Sequence, residues 1–226
     1  MLHRLLRKVF GRAAPPEEAA YRRLADQGYR PDLIVDVGAY EGHWSRLARR
    51  VFADSPILMV EPQEEKELQL RSVISDIGNA RLRQCALSAD NEVHQFFVME
   101  TGSSLLSENS NVEREVRTLT TETLDSLVDG TSNVFLKVDV QGGELGVLAG
   151  GQQTLKACSL IQLEVALLPY NDGAPTFLQV LTYLDQHGFV PLDFAGFIRP
   201  DGVNLVQVDI LFAPRISKFR LTEFKY

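Results

Sequence analysis

The chain has 226 residues, 45% hydrophobic and 23% charged, which supplies apolar sequence for one sizeable core and excludes disorder for most of its length. Lys and Arg number 23 against 30 Asp and Glu, a net charge of −7, and Arg4, Arg7, Lys8 and Arg12 gather at the start without an acid, so the acidic remainder is a poor match for nucleic acid phosphates. No run approaches the ~18 apolar residues of a membrane span, the start lacks signal-peptide features, and Cys85 and Cys158 are spaced for neither a disulfide framework nor zinc, so a cytoplasmic protein with two reduced core thiols is expected.

Leu2, Leu5, Leu6, Val9 and Phe10 recur at helical spacing opposite Arg4, Arg7 and Lys8, and Gly11 with Pro15-Pro16 ends that helix. A helix capping the domain's own core is favoured over one touching an anionic membrane surface or a partner protein. A second helix is predicted over Glu17 to Gln27, stopped by Gly28. Residues 1–29 thus read as a helical extension, 30–214 as the main domain and 215–226 as a tail. From Asp32 onward, short apolar runs alternate with amphipathic segments, the pattern of a doubly wound, mostly parallel α/β sheet. Strands are predicted at Leu33–Val37, Ile57–Glu61, Ala80–Ala86, Asn133–Asp139 and Ser159–Glu164. Helices are predicted at Trp44–Phe52, Glu64–Ser75, Leu124–Val128, Glu144–Lys156 and Thr176–His187. Phe189–Phe194 and Leu205–Phe212 lack a crossover between them and should close the sheet antiparallel. An inserted strand pair, Val93–Met99 and Val116–Thr120, flanks the polar loop Thr101–Asn111.

Ligands of such a sheet bind beyond the carboxyl ends of its strands. After the first strand, Asp36-Val37-Gly38-Ala39-Tyr40-Glu41-Gly42 allows a tight turn and close backbone approach to a ligand at a helix start, although a strand-to-helix turn uses glycine anyway. Its Gly-x-x-x-Gly spacing departs from the G-x-G-x-x-G of dinucleotide binders, which points to a ligand without pyrophosphate. After the second strand, Glu61-Pro62 offers a carboxylate to the two hydroxyls of a ribose. Ala86 and Leu87, ending the third strand, are small and apolar enough to lie against an adenine edge. Asp139 and Glu164 then arrive at equivalent heights on neighbouring strands, so two carboxylates are expected at the mouth of one cleft, unless Asp139 serves only to cap the following helix.

The ordered set Asp36 to Gly42 with Ser45, Val60-Glu61-Pro62, Gly102-Ser103-Ser104-Leu105, Thr123-Leu124-Asp125-Ser126-Leu127, Leu136 to Glu144 with Leu148 and Gly150, and Gln162-Leu163-Glu164-Val165 resembles the FkbM-type methyltransferases of the class I superfamily. The resemblance runs collinearly from Asp32 to Val165, with closing strands consistent to Pro214, and departs at Tyr40, where the family usually has an asparagine that tolerates a left-handed backbone. It implies S-adenosylmethionine as cofactor, with Asp36, Gly38, Ala39, Tyr40, Gly42, Glu61, Pro62, Ala86, Leu87 and Asp139 around it. It implies methyl transfer to an oxygen acceptor such as a sugar or natural-product hydroxyl, with Asp139 or Glu164 as the proton acceptor. Some class I O-methyltransferases hold a metal at these strand ends, but Val165 follows Glu164 where another oxygen ligand would help, so a metal-free carboxylate base is favoured over Mg²⁺. A non-catalytic or nucleotide-binding module on the same fold is the alternative. His43 reads as a solvated helix-start residue more readily than a catalytic one, and Tyr170-Asn171-Asp172 as a wall of the acceptor side or a bare surface loop.

Overall fold

Nearly every residue in the short runs of Val, Ile and Leu is buried on both sides, as a sheet flanked by helices requires. The computed structural model describes residues 16–109, 113–168 and 170–221, and the helix predicted from Leu2 to Phe10 lies outside them. In chain order the elements are α1 (Pro16–Asp26), β1 (Leu33–Val37), α2 (His43–Val51), β2 (Ile57–Val60), α3 (Glu67–Ile77), β3 (Ala80–Arg83), β4 (Val93–Val98), β5 (Glu115–Thr120) and α4 (Leu124–Leu127). There follow β6 (Val134–Val138), α5 (Glu144–Ala149), α6 (Gln152–Ala157), β7 (Cys158–Ala166), α7 (Phe177–Gln186), β8 (Phe189–Ile198) and β9 (Gln207–Pro214).

Seven strands form one sheet in the order β3-β2-β1-β6-β7-β9-β8. β1, β2, β3, β6 and β7 are parallel, and β9 runs antiparallel to both β7 and β8, as the absence of a crossover required. The chain leaves β1 towards β2 on one side and returns to β6 on the other, so the strand order reverses between β1 and β6 and opens a crevice there. The inserted pair β4 and β5 forms a separate antiparallel ribbon.

Alternation along β1 and β6 sorts two cores. Val35, Leu136 and Val138 meet α4 to α7, while Ile34 and Phe135 meet α1 to α3. Phe135 sits among Tyr21, Trp44, Tyr29 and Phe52 in edge-to-face contacts with centroids 5.4 to 6.4 Å apart. Tyr21 of α1 is fully buried, so the described part of the N-terminal extension packs into this core. α7 begins with a capping box between Thr176 and Gln179.

The single helix predicted over Glu144 to Lys156 is two. A Cβ on Gly150 would lie 2.2 Å from the Ser88 carbonyl oxygen and one on Gly151 2.7 Å from Leu124 Cδ2, so these glycines serve a close approach that breaks the helix. β8 extends past the predicted Phe194 because two register shifts carry it on beside β9. Both cysteines are free and buried, and burial pushes the Cys85 thiol up to about 12.

Candidate active site

At the carboxyl ends of β1, β2 and β6 lies a cleft of about 600 Å³, open mouth included. Its first wall is the turn after β1. Gly38 has φ +78, and a Cβ there would stand 1.9 Å from the Asp139 carbonyl oxygen, so only glycine lets the turn pass the end of β6. Tyr40 takes a left-handed backbone, φ 47, despite its side chain. That turn aims the Tyr40 amide at Glu61 Oε2, 2.8 Å away, while the Gln63 amide donates to Glu61 Oε1 at 3.0 Å. The carboxylate is thereby fixed in a largely buried position. Burial pushes its pKa up, and the two backbone donors oppose the shift.

Behind the cleft a buried lysine gathers the carboxylates. Lys137 Nζ donates to the Gly38 carbonyl oxygen at 3.0 Å and lies 3.2 Å from Asp36 Oδ1 and 3.4 Å from Asp139 Oδ2. Asp36 is fully buried, and its Oδ2 accepts from Ser45 Oγ at 2.7 Å. Burial raises the Asp36 carboxyl and the Lys137 charge opposes that rise. Gln141, with φ 56, follows Asp139 and donates through Nε2 to both Asp139 Oδ1, 2.9 Å, and Glu164 Oε1, 2.6 Å. Its own carbonyl accepts from Ser104 Oγ at 2.9 Å and from the Asn171 amide. Burial, then the charge of Asp139, pushes the Glu164 carboxyl well above its ordinary range. Buried Glu144 is likewise raised by desolvation, to about 7, against amide bonds from Gly142 and Val140.

A second cavity of about 800 Å³, also counted with its mouth, adjoins the first at Thr101 and Gln141. Its lining includes Glu108, Glu164, Tyr170, Asn171 and Ile198; among the described residues no Lys, Arg or His lines it, and Arg114 pairs with Glu108.

Seven of the predicted residues, Gly38, Tyr40, Glu61, Pro62, Ala86, Leu87 and Asp139, line the first cleft. Asp36, Ala39 and Gly42 are not among its lining residues. A Cβ on Gly42 would meet both Val73 methyls at 3.0 Å, so that glycine serves the packing of α2 on α3. Glu164 lines the second cavity, joined to Asp139 through Gln141. His43 is exposed beside Glu41. Lys137 and Gln141 escaped the sequence reading. A lysine inside an apolar strand was the signal for the first, because a buried ammonium needs partners. Among the described residues no group of three or more His, Cys, Asp or Glu is placed to hold a metal ion, and no helix is long and apolar enough to cross a membrane.

Residues 36–191 match the family model of the methyltransferase FkbM domain. Among solved structures, the N-terminal domain of EvdMO1 with SAH bound is 14% identical with a TM-score of 0.53, over 90% of this chain and 82% of that one. The same domain in the presence of SAH and D-fucose gives 14% and 0.52, over 91% and 85%. EvdMO1 in a longer form gives 14% and 0.50 over 88% of this chain, which spans only 41% of its length. At such identity these likenesses carry the fold, that of the class I methyltransferases. No curated protein matches the sequence.

Proposed function

The chain belongs to the FkbM methyltransferase family, and from that premise we propose that it transfers a methyl group from S-adenosylmethionine to a hydroxyl oxygen of a small sugar-like or natural-product-like acceptor. One observation carries the reading: two cavities meet at Gln141, which bridges Asp139 on the cofactor side to Glu164 on the other. The residues present fit the cofactor. Glu61, its carboxylate plane set by two backbone amides, is the group for the ribose hydroxyls, and Pro62, Ala86 and Leu87 offer an apolar wall for the adenine. Gly38 and Tyr40 shape the turn on the methionine side, with Asp36, Ala39 and Gly42 supporting it from behind.

When bound, S-adenosylmethionine supplies a methyl group already activated by its sulfonium. The protein's task is then to hold an acceptor hydroxyl in line and take its proton. Orientation of this kind is worth roughly 7 to 11 kcal/mol of barrier. We assign proton acceptance to Asp139, held between Lys137 and Gln141, with Glu164 receiving the acceptor's other hydroxyls. The described lining offers carboxyl, amide and hydroxyl groups, and the neighbouring Arg114 is engaged by Glu108, which favours an uncharged hydroxylated acceptor over a phosphorylated or carboxylated one. The D-fucose present with the EvdMO1 domain is of that neutral class. Residues 30–214 are the proposed methyltransferase domain, with 1–29 as an extension and 215–226 as a tail.

The test is Asp139→Asn assayed on neutral glycosides. Turnover should fall ~10²-fold while affinity for S-adenosylhomocysteine changes little. Full turnover in that variant would remove Asp139 from the chemistry.

A further inference from the structure

The cofactor cleft is bordered on one side of its mouth by a segment from the inserted ribbon. Met99 through Ser104 link β4 to the polar loop, and Glu100, Thr101, Ser103 and Ser104 line the cleft opposite Tyr40. This bend is tied at both ends. Ser104 Oγ donates to the Gln141 carbonyl oxygen at 2.9 Å, and the Ser104 and Phe97 backbones pair through two hydrogen bonds. At the other end the Tyr40 hydroxyl donates to Glu100 Oε2 at 2.6 Å. Lys66 Nζ lies 3.9 Å above the Tyr40 ring, 3.2 Å from Glu41 and 3.3 Å from Glu100. Gln63, whose amide also fixes Glu61, donates through Nε2 to the Glu100 carbonyl oxygen at 3.3 Å.

Two features set this cluster apart from ordinary surface pairing. Tyr40 and Glu100 both adopt left-handed backbones, φ 47 and φ 45, a conformation disfavoured for residues with side chains and kept only where the surroundings impose it. Tyr40 also touches both sides of the cleft at once, because its amide holds Glu61 and its hydroxyl holds Glu100. A shift of the bend is therefore transmitted to the carboxylate that faces the ribose.

We propose that Tyr40 is a positioning residue that latches the inserted bend across the cofactor cleft, so that S-adenosylmethionine enters and S-adenosylhomocysteine leaves only when the Tyr40–Glu100–Lys66 cluster parts. The proposal rests on the family's cofactor. Its physical basis is that the latch contacts are made between two chain segments and not with the ligand, so breaking them lowers the barrier to exchange. Glu100 is exposed, which keeps the expected effect modest.

The experiment measures association and dissociation rates of S-adenosylhomocysteine by surface plasmon resonance for the parent, Tyr40→Phe, Glu100→Gln and the double variant. Tyr40→Phe keeps the ring beneath Lys66 and the amide bond to Glu61 while losing the hydroxyl. Glu100→Gln keeps the shape and loses the charge. Each single variant should raise the dissociation rate by about threefold to tenfold, and the double variant by less than the product of the two, because the changes share the Tyr40–Glu100 contact while Glu100→Gln also loosens Lys66. Melting temperatures without ligand should stay within a few degrees of the parent's, so that faster dissociation is not the consequence of a destabilised fold. Dissociation rates equal to the parent's, additive effects in the double variant, or rates that rise only in step with a loss of ligand-free stability would overturn the proposal. A parent protein that fails to bind S-adenosylhomocysteine would instead strike at the cofactor assignment and take the latch with it.

Discussion

Replacing Lys137 with methionine keeps the length of the side chain and removes the one cation that contacts both Asp36 and Asp139. Among the described residues Asp36 Oδ1 accepts no well-aligned hydrogen bond, and the Lys137 ammonium lies 3.2 Å from it. In Lys137→Met that oxygen stays buried and loses the ammonium. Loss of one member of a buried pair costs about 3 to 5 kcal/mol. Protonation sets an independent ceiling. Neutralising an aspartate of ordinary pKa near 3.9 costs about 1.4 kcal/mol per pH unit, hence about 4 kcal/mol at pH 7, and the two figures agree. A loss of that size in a chain this long lowers the melting temperature by roughly 10 °C. Burial raises the folded-state pKa of Asp36 already in the parent, and removing Lys137 raises it further. A raised acid binds its proton more readily in the folded state. The variant should therefore regain stability as pH falls from 7 towards 4, where the unfolded chain's own aspartate takes up its proton. Urea melts at several pH values measure this, with Asp36→Asn added to the variant as the rescue. A loss under about 1 kcal/mol at pH 7, flat with pH, would refute the claim that Lys137 neutralises a buried carboxylate.

Other residues give independent outcomes. Glu61→Ala should weaken S-adenosylhomocysteine binding by about 1.5 to 3 kcal/mol in calorimetry, since it removes a charged acceptor and frees the Tyr40 and Gln63 amides. Glu164 has a raised folded-state pKa, from burial first and Asp139 second, so it costs stability increasingly as pH rises above the ordinary glutamate value near 4.3. Glu164→Gln should accordingly gain on the parent in urea midpoint between pH 5 and pH 8, and a constant difference would argue against a strained carboxyl. Tyr21→Ala opens a hole under α1 beside Phe135 and should cost about 3 to 5 kcal/mol, against near-zero cost if residues 1–29 were a dispensable extension.

Much of this was legible because the hydrophobic pattern carries it. Apolar runs at β1, β2 and β6 announced a sheet covered on both faces, and the missing crossover between β8 and β9 announced their antiparallel pairing. Glu61 was legible for a similar reason, since an acid at the end of the second strand has few places to point. The break at Gly150-Gly151 was not, because it answers to Ser88 and Leu124, which are distant in sequence. Gly42 read as a ligand-facing glycine, and only the packing of α3 reveals that its missing side chain makes room for Val73. Tyr40 ran against its propensity. The sequence argued for a residue that tolerates φ above zero, and the contacts of its ring and hydroxyl with Lys66 and Glu100 accompany the strain. Gln141 was illegible as a bridge, since the sequence brought Asp139 and Glu164 together but gave no sign of the left-handed turn from which Gln141 Nε2 reaches both.

The most direct test of the central claim is where the methyl group goes. The protein is incubated with methyl-labelled S-adenosylmethionine and a mixture of neutral methyl glycosides, their amino and uronic acid counterparts, and total RNA, and the products are resolved by mass spectrometry. The account predicts label on a hydroxyl oxygen of a neutral glycoside, abolished or strongly reduced by Asp139→Asn. Label on an amine nitrogen, on a uronic acid in preference to its neutral counterpart, or in RNA would contradict it.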